Sequence, residues 1–292
     1  MPVGDENVLT AVIVHRGRPE TCVPTGRSLL AQGVDRLIVV DNGSPAEAVA
    51  EVRAGLPGAE VVELGANTGF GPGANAGLQR WLDGGDGEWV LLAPHDADPQ
   101  PGCVEALVAA ASARPEAGLA CAEYGSDDVL NNRPTVVSFL GGILAPSARV
   151  PGWETCDYPH GTLMLLRRPC LDEIGLFDER YFAYCEETDL GIRARAAGWE
   201  VGVVWGAVVH NPGMGSHSGV PEYLMLRNTL HLIHWHFGVL QASLHFLIAS
   251  WVNVRATLGG RRPFFWHRRG RFLALRDYAL GRTGPPPASL TR

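Results

Sequence analysis

The sequence predicts an α/β protein with a mostly parallel central sheet and helices on both faces. Three observations carry that prediction. Apolar, β-branched runs alternate with helix-length segments through the amino-terminal half. The first two runs flank one such segment, which makes a βαβ unit. Carboxylates cluster just after an apolar run, where open α/β sheets bind ligands.

Val8 to Val14 reads as a buried first strand and Arg36 to Val40 as a second, with a helix from Pro19 to Gln32 between them. The second strand ends in the turn sequence Asp41-Asn42-Gly43-Ser44-Pro45. A helix from Ala46 to Ala54 and a strand from Glu60 to Leu64 extend the pattern. That strand runs into 67–77, where closely spaced glycines let backbone approach a ligand, and a helix continues to Leu82. Glu88 to Ala93 is a strand leading to Asp96-Ala97-Asp98, Pro101 to Ala113 a helix and Leu119 to Glu123 a strand. From Gly125 to Tyr158 the periodicity is irregular, as at a change from a nucleotide half to a substrate half. His160 to Arg167 then reads as a strand, Pro169 to Ile174 and Asp189 to Ala197 as helices, and Glu200 to Val204 as a strand leading to His210. Pro221 to Gly238 and Val239 to Leu258 are helical by length and period. The expected division is a catalytic domain over 1–220, split at 124/125, and a helical, arginine-rich extension over 221–292.

At 292 residues and 46% apolar content the chain can bury a substantial core. The net charge of −7 hides an asymmetry, because nine arginines face the single acid Asp277 in 255–292. There is no lysine, which removes lysine Schiff bases, lysine-anchored pyridoxal phosphate and a P-loop. Six cysteines without a Cys-x-x-Cys pair fit a reduced, cytoplasmic protein. The start of the chain lacks a signal-peptide pattern. Val239 to Val254 is interrupted by Gln241, His245 and Asn253, too short and polar to span a bilayer, so any membrane contact would be peripheral, at the inner face. His231, His234 and His236 do not share a helical face and read as ordinary helix histidines. The glycine-rich run follows the third strand, with no Gly-x-Gly-x-x-Gly after the first, which disfavours a dinucleotide-dependent oxidoreductase. The basic tail lacks a groove-reading module, so no nucleic-acid partner is expected.

Two separated acidic groups point to a metal and a base. Asp96 and Asp98 offer the oxygen ligands that hard divalent cations want, or else only form a turn before Pro99. Glu186, Glu187 and Asp189 open a helix whose amino end favours carboxylates, so one of them could take a proton from a nucleophile, or all three only cap the helix.

In order and spacing the motifs resemble the inverting family 2 glycosyltransferases of GT-A fold, especially the rhamnosyltransferase-like branch. They are Val39-Val40-Asp41-Asn42-Gly43-Ser44, Asn67-x-Gly69-Phe70-Gly71-x-Gly73-x-Asn75-x-Gly77 and Asp96-x-Asp98-Pro99, then Gly161-Thr162, Gly175-x-Phe177-Asp178-Glu179, Phe182-x-Tyr184-x-Glu186-Glu187-x-Asp189-Leu190, Gly198-Trp199, His210 and Arg227-Asn228. The resemblance implies a nucleotide-diphosphate sugar donor, with Asp41 at the base, and Asn67, Gly69, Gly71, Asn75 and Asp96 beside the donor. It implies Mg²⁺ or Mn²⁺ at Asp96, Asp98 and His210, and Glu187 as general base flanked by Glu186 and Asp189. Counted back from Pro99, the family's first metal-site Asp falls at Pro94, which leaves open which of Asp96 and Asp98 binds metal. The family's Thr-Tyr-Asn after the first strand is replaced by Val14-His15-Arg16-Gly17, where Arg16 either meets a phosphate or faces solvent. The resemblance favours a thymidine-linked deoxysugar such as rhamnose over a uridine-linked sugar. The expected acceptor is lipid-linked, in cell-wall or polysaccharide assembly; the alternatives are a soluble natural product, or a non-catalytic nucleotide-sugar-binding subunit. The arginine tail, with Phe264, Phe265, Trp266 and Phe272 interleaved, either meets an anionic membrane surface or is merely solvated. The helices after Pro221 are candidates for a homodimer contact, a membrane face or a lid.

Overall fold

A computed structural model describes residues 8–85, 87–125, 132–211, 219–263 and 266–291. Phe264, Phe265, the first seven residues and 126–131, all touched by the sequence expectations, lie outside the described residues. The chain opens with β1 (Thr10–His15), α1 (Pro19–Ala31), β2 (Arg36–Asp41), α2 (Ala46–Gly55), β3 (Glu60–Glu63), α3 (Phe70–Gly84) and β4 (Trp89–Pro94). It continues through β5 (Asp98–Pro99), α4 (Cys103–Ser112), β6 (Ala117–Tyr124), β7 (Arg133–Val137), β8 (Gly141–Ala145), β9 (Gly152–Thr155), β10 (Met164–Arg167), α5 (Arg168–Ile174), α6 (Glu186–Ala196) and β11 (Glu200–His210). Four helices end it: α7 (Gly219–Phe237), α8 (Val239–Thr257), α9 (Arg268–Ala279) and α10 (Ala288–Thr291).

Nine strands form one sheet in the order β3-β2-β1-β4-β10-β6-β11-β5, with β9 also paired to β11. The β3-β2-β1-β4 half is parallel, as expected of a βαβ chain. β10 runs antiparallel between β4 and β6, and β6 and β11 are parallel. Alternation along each buried strand feeds two cores. Ala11, Ile13, Val39 and Leu91 pack with Cys22 and Leu29 of α1 and Leu107 of α4. Val12, Val14, Val40 and Leu92 pack with Leu78 and Trp81 of α3 and Leu190 of α6. Such two-sided burial explains why the strands read as continuous apolar runs.

Three expectations need correction. The irregular stretch after Gly125 contains strands: β7 and β8 form their own two-stranded sheet, and β9 joins the main one. Their sequences RPTVV, GGILA and GWET are short, broken by Gly and Pro and only partly buried, so no alternation shows. The strand expected from His160 starts only at Met164. The helix expected from Asp189 starts at Glu186, directly after Tyr184 and Cys185, which hold positive φ of 68° and 75°. One glycine of the 67–77 run is also there for packing: a Cβ on Gly77 would lie 2.4 Å from Val12 Cγ1, so α3 rests directly on β1.

The chain divides into two compact units. The first, Met1–Thr135, Leu144–Asp178 and Glu187–Gly213, holds the nine-stranded sheet. The second comprises Val136–Ile143, Glu179–Glu186 and Met214–Arg292, with a core that includes Tyr223, Leu224, Leu230, Ala249 and Ala274. Arg227 is fully buried there; its Nη1 donates to the Tyr223 hydroxyl (3.0 Å), which in turn donates to Asp277 (2.9 Å). The histidines of α7 are structural where contacts define them. The His231 Nε2–H donates to the Arg282 carbonyl (3.0 Å), and its ring stacks on Trp235. Among the described residues no helix is long and apolar enough to cross a membrane.

Candidate active site

After β3 the chain returns to place β4 on the other side of β1, so strand order reverses between β1 and β4. A crevice opens outside the carboxyl ends at such a point. β1 ends there at His15, in register with Asp41 at the end of β2, and β4 leads into His95 and Asp96.

The buried His15 ring stands 3.2 Å from an Asp41 carboxylate oxygen through Nδ1. Its Nε2 accepts the Arg18 backbone N–H, also at 3.2 Å, so the proton sits on Nδ1 and is donated to Asp41. The Ser44 N–H donates to the other Asp41 oxygen (3.1 Å), and the Ser44 hydroxyl accepts the Gly17 N–H (2.8 Å). The Val14-His15-Arg16-Gly17 departure is therefore a tether between two strand ends. Arg16 is exposed beside it.

Asn42 does the equivalent for the glycine loop. Its amide donates to the Gly69 carbonyl (2.7 Å) and its oxygen accepts from the Thr68 N–H (2.8 Å). Gly43, at φ 80°, lies so close to this loop that a Cβ would meet the Ala66 carbonyl carbon at 2.6 Å. Asn67 is exposed and its side chain accepts the Gly69 N–H (3.1 Å). Gly69 caps α3 and Gly71 is buried in its first turn. The Asn75 amide brackets the Phe177 backbone, donating to its carbonyl (2.9 Å) and accepting its N–H (3.0 Å).

Asp96 is half-buried on a loop anchored by Thr25 of α1, whose hydroxyl stands 2.7 Å from the Ala97 carbonyl. Asp98 and His210 are exposed and directly opposite each other on antiparallel β5 and β11, so their side chains share a face. Gly125 leaves room for the imidazole, since a Cβ there would lie 2.7 Å from His210 Cε1. Among the described residues no three His, Cys, Asp or Glu side chains could hold a metal ion by themselves. Asp98 and His210 thus make a pair rather than a cage. Such a pair fits Mg²⁺ or Mn²⁺ held largely by substrate phosphates, because these cations keep few protein ligands in diphosphate sites.

In the third group Glu186 and Asp189 are buried, while Glu187 is half-buried. Arg193 donates to Asp189 from Nε (2.8 Å) and to the Ile174 and Leu176 carbonyls (2.6 and 2.8 Å), tying α6 to the chain after α5. The field of Glu187 reaches His160. In the helical unit the Asn228 amide donates to the Ala183 and Tyr184 carbonyls (2.8 and 2.9 Å), holding the loop of positive φ that leads into α6. Arg227 and Asn228 were legible only as part of a motif. The same holds for Asn42, and His15 stood only within a departure from a motif, whereas Thr25 and Arg193 gave no signal.

Residues 10–175, more than half of the chain, match the model of glycosyl transferase family 2. The chain belongs to that family. A family 2 assignment agrees with a curated relative, an N-acetylglucosaminyl-diphospho-decaprenol L-rhamnosyltransferase of Mycobacterium tuberculosis, 27% identical over 281 residues covering 83% of this chain and 89% of the relative. A low-salt glycan biosynthesis hexosyltransferase of Haloferax volcanii is 24% identical over 239 residues, 76% of either chain. Among solved structures, GalNAc-T7 with UDP, GalNAc and Mn²⁺ superposes with a TM-score of 0.64 at 14% identity, covering 94% of this chain and 57% of that one. The mannosyltransferase PcManGT of Pyrobaculum calidifontis, with GDP-Man and Mn²⁺, gives 0.58 at 16% identity, covering 93% and 86%. The fold is GT-A. The family match includes Asp41, Asp96 and Asp98; Glu187 and His210 lie beyond it.

Burial, opposed by the Asp41 hydrogen bond, pushes the His15 pKa below its usual 6.5. Below about pH 6.5 the unfolded chain takes up a proton that the folded chain refuses, so stability is lost as pH falls from there through the folded value. His15→Gln should flatten the fall in Tm between about pH 7 and 5, removing up to roughly 1.4 kcal/mol per pH unit. An unchanged slope would show that His15 is not the group titrating.

Proposed function

We propose that this family 2 glycosyltransferase is an inverting enzyme. It moves a sugar from a nucleoside diphosphate, a thymidine-linked deoxysugar such as rhamnose favoured over a uridine-linked sugar, to a hydroxyl of a lipid-linked saccharide. The observation that carries the reading is that Glu187 lies in the same compact unit as Asp41, Asp98 and His210, while Asp189 in the same helix is already held by Arg193. The relative that acts on a decaprenol-linked sugar supports the donor and acceptor classes.

In this reading residues 1–124 bind the donor, 125–220 face the acceptor and 221–292 are an extension. Asp41 takes the nucleotide base. An ionised carboxylate has about four lone-pair sites, and with His15 and Ser44 on two of them it can still accept the N3–H of thymine or uracil. Asn67, Gly69, Gly71 and Asp96 border the diphosphate and sugar, and Arg16, exposed just after the end of β1, can reach a phosphate. Asn75 acts indirectly, fixing the Phe177 loop. Asp98 and His210, with Asp96 two residues away, would hold Mg²⁺ or Mn²⁺, which when bound neutralises charge on the leaving diphosphate.

Glu187 accepts the proton of the acceptor hydroxyl as its oxygen attacks the anomeric carbon. The bond from that carbon to the diphosphate oxygen breaks, and the nucleoside diphosphate leaves with the electron pair. Attack opposite the leaving group inverts configuration. Arg193 keeps Asp189 occupied, so Asp189 and Glu186 position the helix end. A donor panel scored by nucleoside diphosphate release tests the reading: turnover of dTDP-rhamnose is expected, and turnover of uridine donors alone would defeat the thymidine choice.

A further inference from the structure

In the helical unit, Leu240, Leu244, Leu247, Trp251, Val254 and Leu258 recur at alternating spacings of four and three along and just beyond α8, which places them in one stripe. All six are exposed, Leu240 by 76%, Trp251 by 62% and Leu258 by 82%, and Val239 and Ile248 widen the face. The opposite side of α8 is buried through Ala242, Ala249, Asn253 and Ala256. An exposed apolar face of this length is unusual on a protein that works alone in water.

Charge identifies what covers it. No acid occurs between Glu222 and Asp277. Arg255 lies over the Trp251 ring, 5.0 Å from its centroid. Its carbonyl accepts the Gly260 N–H (2.9 Å), which folds the following loop back and leaves Arg261 and Arg262 exposed at the end of the stripe. On α9, Arg268, Arg269, Phe272 and Arg276 are exposed at helical spacing. A self-paired coiled coil would carry opposite charges beside its seam, but Gln241, Ser243, Ile248, Ser250, Arg255 and Thr257 flank this one and none is acidic. A wide apolar face with tryptophan, rimmed by arginines whose stems can lie in a headgroup layer, suits a helix lying in the plane of an anionic bilayer.

We infer that the exposed face of α8, with its arginine rim, docks on an anionic lipid surface. For its purpose, access to a lipid-linked acceptor, the inference rests on the proposed function. Vesicle binding needs neither donor nor turnover, so either can fail without the other.

The test is flotation of the full chain with vesicles of phosphatidylcholine alone or mixed with phosphatidylglycerol. Expected is binding to the anionic vesicles, weakened by salt and reduced at least about tenfold by the double variant Leu247→Glu, Trp251→Glu. Substituting Arg255, Arg261 and Arg262 by Gln should also weaken it. Unchanged circular dichroism would show that these surface variants remain folded. No binding to anionic vesicles overturns the inference, as does binding that the double variant retains. A homodimer that the double variant splits, without vesicle binding, assigns the face to a second copy instead.

Discussion

Glu187→Gln is expected to lower turnover by about 10²- to 10⁴-fold while leaving nucleoside diphosphate affinity unchanged. The substitution keeps the size of the side chain and removes its ability to accept a proton. Among the three acids at the start of α6 Glu186 and Asp189 are buried and Glu187 is half-buried, and Asp189 is paired with Arg193 at 2.8 Å. The contrast makes the prediction specific. Asp189→Asn should act through stability and loop position, lowering Tm along with activity, while Glu187→Gln should leave Tm nearly unchanged. Single-turnover kinetics at saturating donor, set beside thermal melts, separate the two. Full activity in Glu187→Gln would remove it as base.

The second large effect is expected at the Asp98 and His210 pair. Asp98→Asn retains the side chain's shape and its place opposite His210 but removes the charge. With only a pair of side chains facing the cation, loss of one carboxylate should cost at least the roughly 10- to 100-fold in metal affinity that even outer-shell partners cost. Donor turnover should then require far more Mn²⁺, and chelation should abolish wild-type turnover reversibly. If Asp98→Asn leaves the metal dependence intact while Asp96→Asn destroys it, Asp96 is the ligand and Asp98 only an exposed neighbour. Turnover that survives chelation would remove the metal from the account.

The parallel half of the sheet was legible because its strands are buried on both faces and end in conspicuous turn or acidic sequences, Asp41-Asn42-Gly43 and Asp96-Ala97-Asp98. β7, β8 and β9 were not legible, since short, partly exposed strands broken by Gly and Pro lack a period. The start of α6 was missed because positive φ at Tyr184 and Cys185 carries no sequence mark when neither residue is Gly or Asn. The motifs named residues and left their division of labour open. That division comes from contacts across long sequence separations, such as His15 with Asp41 and Asn75 with Phe177. In α8 the sequence analysis saw only a helical, interrupted apolar segment, and it is burial of one face that shows which side is left in water.

The proposed function stands or falls with a metal-assisted nucleoside diphosphate site at the ends of β1, β2 and β4, extending to β5 and β11. Titration calorimetry of dTDP and UDP into wild type and Asp98→Ala, each with and without Mn²⁺, is the decisive measurement. Binding of dTDP is expected to require Mn²⁺ and to be lost or strongly weakened in the variant. Failure of wild type to bind either nucleotide with the cation present would contradict it, leaving the fold without the proposed chemistry.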